Sequence, residues 1–483
     1  MRVIMAASEA VPFAKTGGLA DVVGALPPAL QQRGVDVAVI LPKYPSITDA
    51  GGSVKRLDWT LAVPVSSRTV TAGVWTTTGA DGVAVYFIEA DPYFAREALY
   101  GTPSGDYPDN AERFAFFCRA ALALTQRLGA PDILHCHDWQ TGLIPVFLRA
   151  DTARYADLVR VRTVLTVHNI GYQGAFWSPD WHLLNLDWAY FSPDWLEFYN
   201  YINYLKGGLR TADAITTVSP TYAREIQTPA FGCGMEGVLA GRGDAVTGIL
   251  NGVDYAEWNP EHDRFIVAPY SVDDLAGKAA CKADLQTAFG LPVEPRVPVL
   301  GLVSRLVEQK GIDLLTGVAT ALLRKRVQLV VLGSGEPWRE RLLENLAAMF
   351  PARCAVRIGY DNALAHKIEA GCDMFLMPSR YEPCGLNQMY SLRYGTIPIV
   401  RATGGLDDSV VDVDPAGGGG TGFKFGDATT AALLACIERA LAAYRTPRRW
   451  RTIMAQAMRA DFSWGRSAEA YIDLYRRVAA RAA

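Results

Sequence analysis

From residue 2 to the last helix, short runs of aliphatic and β-branched residues alternate with segments whose apolar side chains recur every three or four positions. Residues 2–7 read as a strand; Leu19, Val23, Leu26 and Leu30 then fall at i, i+4, i+7 and i+11, one face of a helix. Gly34 ends that helix, and residues 35–41 form the next buried strand before Pro42. Further strands are expected at 83–88, 133–136, 163–167, 214–218 and 246–250. Strands that are apolar throughout, separated by amphipathic helices, predict an α/β fold whose parallel sheet is covered on both faces.

The pattern starts again after an irregular, Pro-containing stretch around 259–274, with strands expected at 297–303, 328–332, 355–358, 374–377 and 397–400. The length of 483 residues suits two large domains or about three ordinary ones. Doubly wound domains place ligand crevices beyond the carboxyl ends of their strands, so two such domains facing each other would share one ligand. Gly417–Gly420 is followed by no Lys-Ser/Thr pair, which makes it a turn and not a P-loop.

Several function classes drop out early. With 47 basic and 50 acidic side chains the net charge is −3, so the basic excess of a nucleic-acid binder is absent. No apolar run approaches the roughly 18 residues of a membrane span. Met1 to Ala7 leads directly to Glu9 and Pro12, unlike a signal peptide, and the eight cysteines contain no C-x-x-C pair. A soluble cytoplasmic protein in a reducing compartment is the expectation.

The candidate chemistry sits at strand ends. Lys15-Thr16-Gly17-Gly18 opens the first long helix, where glycines admit an anion close to the backbone and the helix N-terminus favours negative charge; a plain tight turn is the alternative. Arg305 and Lys310 flank the start of a helix in the second half and are candidates for a phosphate pair, against a solvated charge run. Glu382-Pro383-Cys384-Gly385-Leu386 puts a carboxylate beside a helix start, suited to sugar hydroxyls or to capping. His135 and His137 share a strand face and could chelate, but no third or fourth ligand lies at zinc spacing and no metal is expected. Asp138 is a better acceptor for a sugar hydroxyl, and His168 lies on the same crevice side. Twelve aromatics in the 33 positions 172–204, against 10% for the chain, supply a few ring faces for sugar stacking and otherwise core.

Taken together, these residues resemble a known family. Lys15-Thr16-Gly17-Gly18-Leu19-Ala20-Asp21-Val22, His137-Asp138-Trp139, Val167-His168-Asn169, Asn251-Gly252-Val253-Asp254, Ser304-Arg305-Leu306, Gln309-Lys310-Gly311, Glu382-Pro383-Cys384-Gly385-Leu386 and Thr403-Gly404-Gly405-Leu406 look like the blocks of bacterial glycogen synthases and plant starch synthases, in the same order along nearly the whole chain. The resemblance implies a retaining GT-B glycosyltransferase with two Rossmann-like domains across a deep cleft. It implies transfer of glucose from ADP-glucose to the non-reducing end of an α-1,4-glucan such as glycogen. The implied domains are 1–258, with a returning helix at 465–483, and 259–464, for acceptor and donor respectively. Tyr471, Leu474 and Val478 mark the apolar face of that helix.

By position, the resemblance puts Asp138, His168, Arg305, Lys310 and Glu382 in catalysis. It puts Lys15, Gly18, Asp21, Asn251, Arg305, Lys310, Tyr360, Cys384, Gly385, Leu386 and Asn387 at the donor, Tyr360 on the adenine, and Tyr93 and Tyr172 at the acceptor. No cofactor is implied beyond the ADP-glucose substrate, and no nucleic-acid or membrane partner; the oligomeric state is left open. Two positions depart from pattern. Asn387 stands where the family usually has Thr, and Tyr390 stands where the wider group of transferases has a second glutamate, as it also does in the glycogen synthase branch. Competing readings are the same transfer from UDP-glucose, a phosphorylase-like enzyme using pyridoxal phosphate, and a non-catalytic glucan-binding protein. The paired cations at helix starts speak against the last, since a neutral polysaccharide gives them nothing to bind.

Overall fold

The computed structural model describes residues 1–49, 54–79, 81–102, 104–414 and 419–480. The chain divides into two compact units, the first Met1–Val218, Ala223–Gly252 and Trp464–Ala483, the second Ser219–Tyr222 and Val253–Ser463.

Unit 1 is built on a nine-stranded sheet. Its order runs Val246–Gly248, Ala214–Thr217, Arg162–Val167, Ile133–His137, Arg2–Ala6, Asp36–Pro42, Ala84–Glu89, Arg68–Thr78, Lys55–Val65. From Val246–Gly248 to Ala84–Glu89 every pairing is parallel. The central strands are buried almost end to end, as continuous apolar runs require. Arg2–Ala6 pairs with both Asp36–Pro42 and Ile133–His137, and the latter with Arg162–Val167. The loops leaving the carboxyl ends of three adjacent strands therefore emerge side by side, carrying residues 7–17, 138–142 and 168–174.

The sheet is not wholly parallel, as the apolar runs had suggested. Lys55–Val65 and Arg68–Thr78 form an antiparallel hairpin at one edge, turned by Ser66 at φ +53°. Its strands are half-exposed, with Leu57, Trp59, Leu61, Val63 and Val65 on alternate positions, so their signal is a period of two and not an apolar run. A small three-stranded sheet of Ala175–Trp177, Tyr201–Asn203 and Glu197–Phe198 organises part of the aromatic-rich segment.

Unit 2 carries a six-stranded, all-parallel sheet in the order Cys354–Ile358, Gln328–Gly333, Val299–Val303, Met374–Met377, Ile397–Arg401, Phe423–Phe425. Helices cover both faces and bury two apolar clusters, one around Leu315, Leu329 and Ile437, the other around Ile368, Phe375 and Val400. The edge strand Phe423–Phe425 is only three residues long and escapes a reading based on apolar runs. The glycine tract before it is partly outside the described residues, at positions 417 and 418; Gly419 and Gly420 take positive φ.

The units part at Gly252, earlier than the expected 258, and the reason is packing. Val253 donates its N–H to the Phe462 carbonyl at 2.7 Å, and the Trp258 ring lies between His366 (3.8 Å) and Tyr390 (3.9 Å). Ser219–Tyr222 also counts with unit 2: Ser219 Oγ donates to the Pro383 carbonyl at 2.7 Å, and Thr221 bonds Asp408. The last helix, Trp464–Ala480, belongs to unit 1, with positions 481–483 outside the described residues. Its buried Tyr471, Leu474, Tyr475 and Val478 face inward, it packs on Gly18–Gln31, and Ser467 Oγ donates to the Leu250 carbonyl at 2.6 Å. Among the described residues no helix is long and apolar enough to cross a membrane.

Candidate active site

In unit 1, the strand Ile133–His137 delivers Asp138 at its carboxyl end. Asp138 has φ +56°, a left-handed conformation that an aspartate enters only when its surroundings hold it there. Its N–H donates to the Thr166 carbonyl at 2.9 Å, and its Oδ1 accepts the His168 N–H at 2.7 Å. Burial pushes the Asp138 carboxyl up to about 7, with the nearby Glu9 acting in the same direction and the backbone bonds from His168 and Asn169 opposing.

Three histidines line this floor. His135 has both ring nitrogens engaged, with the Tyr475 hydroxyl at 2.7 Å and the Thr166 hydroxyl at 2.6 Å. Its ring lies 4.2 Å from that of His137, whose Nδ1 is 3.0 Å from His168 Nε2. Burial holds His135 and His168 at about 3 and His137 well below its ordinary value, so all three are neutral near pH 7. The chelating pair considered from sequence is thus unavailable at His135. Among the described residues no three His, Cys, Asp or Glu side chains gather as a metal site would need.

The last residues of the loop ahead of Gly18–Gln31, Lys15, Thr16 and Gly17, are exposed, and Lys15 Nζ sits 2.7 Å from Asp21 Oδ1. Glu9 organises it, a role the sequence reading missed. The Glu9 carboxylate accepts the backbone N–H groups of Thr16 and Gly17 and the hydroxyls of Thr16 (2.7 Å) and Tyr100 (2.6 Å). Those two N–H groups are therefore taken, and an anion at this loop would meet Lys15 and the N–H groups from Gly18 onward. An acid at the end of a buried strand, just before a glycine loop, was the available signal. Asn251 is buried, and its Oδ1 has no hydrogen-bond partner.

In unit 2, Lys310 and Glu382 meet. The short turn Glu308–Lys310 precedes the helix Ile312–Leu323, and Lys310 Nζ lies 2.5 Å from Glu382 Oε2, which also accepts the Ser379 hydroxyl at 3.0 Å. The two loops are laced together: Arg380 donates its N–H to the Gln309 carbonyl at 2.8 Å, and a Cβ on Gly311, at φ +66°, would strike the Pro378 carbonyl. Gly404, at φ +45°, presses on the Glu382 carbonyl in the same way. Both glycines are required by close backbone approach and by a conformation that L-residues avoid.

Arg305 is exposed and reaches only as far as Gln309 Oε1, at 3.4 Å. The two cations thus occupy different settings, Arg305 open to solvent and Lys310 on a carboxylate. Tyr360 is 82% exposed, its ring free to stack. Cys384 is buried, and Gly385 (φ +70°) and Leu386 lead into the helix Asn387–Arg393. Asn387 donates from Nδ2 to the Val303 carbonyl at 2.7 Å, tying this helix start to the strand that ends at Arg305's loop. Tyr390 is a packing residue, its ring stacked on Trp258.

The two acceptor candidates part company. Tyr172 is 56% exposed, whereas Tyr93 is 5% exposed, with its ring 4.7 Å from that of Phe116 and its hydroxyl on Glu112. Tyr93 is fixed by the interior of unit 1 and offers a ligand little surface.

A family model described as the starch synthase catalytic domain matches residues 2–241, and one described as glycosyl transferases group 1 matches residues 288–456. A glycogen synthase of Koribacter versatilis is 51% identical over 99% of this chain and 98% of its own. The chain belongs to the glycogen synthase family. Other glycogen synthases agree: one from Anaeromyxobacter sp. (strain Fw109-5) is 50% identical over 99% of this chain and 100% of its own. Among solved structures, the catalytic domain of starch synthase IV from Arabidopsis thaliana, bound to ADP and acarbose, matches with a TM-score of 0.90 and 36% identity over 99% of both chains. A sucrose-phosphate synthase from Thermosynechococcus elongatus, at 20% identity and a TM-score of 0.61, shares the fold. Membership of the glycogen synthase family makes the chain a hexosyltransferase of the GT-B type.

Proposed function

We propose that this glycogen synthase transfers glucose from ADP-glucose to the non-reducing end of an α-1,4-glucan, with retention of configuration and release of ADP. One observation carries the reading at the level of chemistry: Lys310 and Glu382 are held 2.5 Å apart. In a nucleotide sugar the diphosphate and the hexose are directly bonded, so a site for both needs a cation for the phosphate beside a carboxylate for the hydroxyls. Arg305 would share the diphosphate and Lys15 would add charge from unit 1. Tyr360 would stack on the adenine, and the Cys384–Leu386 backbone with Asn387 would border the phosphates. Asp138, His168 and Asn251 would flank the glucose, and Tyr172 the glucan.

Retention by double displacement needs a carboxylate nucleophile about 5 Å from a partner acid. Here the Asp138 carboxylate holds the His168 N–H and Glu382 holds Lys310, which favours a different course. The bond from the anomeric carbon to the phosphate oxygen breaks with its electron pair leaving on ADP. The incoming glucan hydroxyl oxygen bonds to the same face, and its proton passes to the departing phosphate oxygen. Cations at the diphosphate stabilise the charge as it develops. The location proposed is the cytoplasm, in keeping with the free state of all eight cysteines.

The test is incorporation of labelled glucose into glycogen from ADP-glucose, UDP-glucose and glucose 1-phosphate in parallel. Preference for ADP-glucose is expected; efficient use of glucose 1-phosphate, or no incorporation at all, overturns the reading. Mass spectrometry that finds glucose covalently attached to Asp138 or Glu382 would refute the one-face course.

A further inference from the structure

We propose that His137 is a positioning residue that sets the tautomer of His168: His137 donates from Nδ1 to His168 Nε2, so His168 carries its own proton on Nδ1 and offers that N–H to an oxygen of the bound hexose. The two ring nitrogens lie 3.0 Å apart, and neither ring is charged near pH 7, so one must donate and the other accept. Geometry between the pair does not choose, because both arrangements satisfy the shared bond.

The choice is made at the far side of His137. Its Nε2 is buried and has no hydrogen-bond partner. Were His168 the donor, the proton of neutral His137 would sit on this Nε2 as an orphaned buried N–H. Buried N–H groups without acceptors are rarer than under-satisfied acceptors, and a donor left unpaired forfeits its full hydration. The neighbouring ring offers no relief, since both nitrogens of His135 are engaged by Tyr475 and Thr166. With the proton on His137 Nδ1, only a lone pair at Nε2 is left without a partner. A histidine's proton position follows from the bond made by its other nitrogen, and here that bond fixes Nδ1–H on His168.

His168 is the outward member of the pair, 9% exposed against 0% for His137, and Asp138 already pins its backbone N–H. Main chain and ring are thus oriented separately, by Asp138 and His137. That the oxygen met by Nδ1–H belongs to the transferred hexose rests on the function proposed above; the tautomer itself does not.

The experiment uses the full-length enzyme labelled with 15N-histidine, six residues in all, with His168 assigned by comparison with His168→Gln. Long-range 15N–1H spectra should show His168 protonated at Nδ1 in the free wild-type enzyme. Protonation at Nε2 overturns the proposal whatever the activity, and this readout needs no variant at His137 to fold. His137→Leu removes the donor and should lower kcat on the order of 10–100-fold, the usual scale for losing an orienting partner, with KM for ADP-glucose changed less. His137→Asn keeps an N–H near the Nδ1 position and should restore most of kcat together with the Nδ1–H signal. If the spectra show Nδ1–H but His137→Leu turns over normally, the tautomer stands and the donation from His168 to the hexose is overturned, while the transfer activity itself is left standing.

Discussion

Asp138 combines two conditions that water would not impose, a φ of +56° and a carboxyl raised to about 7. A residue in so sparsely populated a region costs about 1–3 kcal/mol, and here the Thr166 and His168 backbone bonds hold it. The raised value has opposite consequences for stability and for rate. Between about pH 4 and 7 the folded protein keeps a proton on Asp138 that the unfolded chain has lost, so this group's contribution to stability falls as pH rises through that window. Asp138→Asn should remove that slope, and denaturant unfolding of both proteins from pH 4.5 to 7.5 checks it. Only the ionised Asp138 offers the full negative charge that holds sugar hydroxyls strongly, so kcat/KM of the wild type should rise with pH to a midpoint near 7; a flat profile there would contradict the assignment. Lys310 and Glu382 form the other residue-scale unit. Lys310→Ala should lower kcat by roughly 10²–10³. Because it also frees Glu382, the double variant with Glu382→Gln should lose far less than the product of the single losses. Multiplying losses in steady-state assays would show the two act separately. Lys310, Glu382 and Asp138 were all singled out from the sequence as candidates, because they fall at strand ends and helix starts. That Lys310 rests on Glu382 was not, since 72 residues separate them and only the lacing of two loops joins them.

Secondary-structure elements place these groups, and their own requirements are testable. The turn entering Gly404–Ser409 touches the backbone under Glu382, so Gly404→Ala meets both a positive φ and a carbonyl oxygen. It should destabilise unit 2 by more than the ~1 kcal/mol of an ordinary Gly→Ala backbone effect, read as a lower denaturant midpoint for the transition of that unit. The last helix makes a smaller and more specific contribution. Tyr475 bonds His135 beneath the strand end that carries Asp138, and Tyr475→Phe should cost about 1 kcal/mol, the net value of one buried hydrogen bond. Urea unfolding measures it, and no change would mean that water replaces the hydroxyl. At this scale apolar runs revealed the buried parallel strands of both sheets. They missed the hairpin Lys55–Val65 and Arg68–Thr78, because an edge strand with one wet face alternates and never forms a run.

For the whole molecule, candidate groups divide between two units: Lys15, Asp138 and His168 in the first, Arg305, Lys310 and Glu382 in the second. Under the function proposed above, the unit 2 groups hold the nucleotide and Lys15 acts in turnover, so nucleotide affinity and turnover are separable. Lys15→Gln should therefore leave ADP binding, measured by calorimetry, nearly intact while turnover falls; a parallel loss of both would make Lys15 an ordinary nucleotide anchor. By itself the sequence determined the α/β class, the restart of the pattern after 259–274 and which residues at strand ends are candidates for the chemistry. These follow from local causes: apolar period, glycine at tight turns, and the carboxyl ends of buried strands. Only the tertiary structure decided that Glu9 ties down the glycine loop, that Tyr93 faces the interior, that the boundary falls at Gly252, and that the last helix reaches His135. Each of those depends on which side chains from distant segments are buried against one another, and burial is a property of the assembled core that no local stretch of sequence contains.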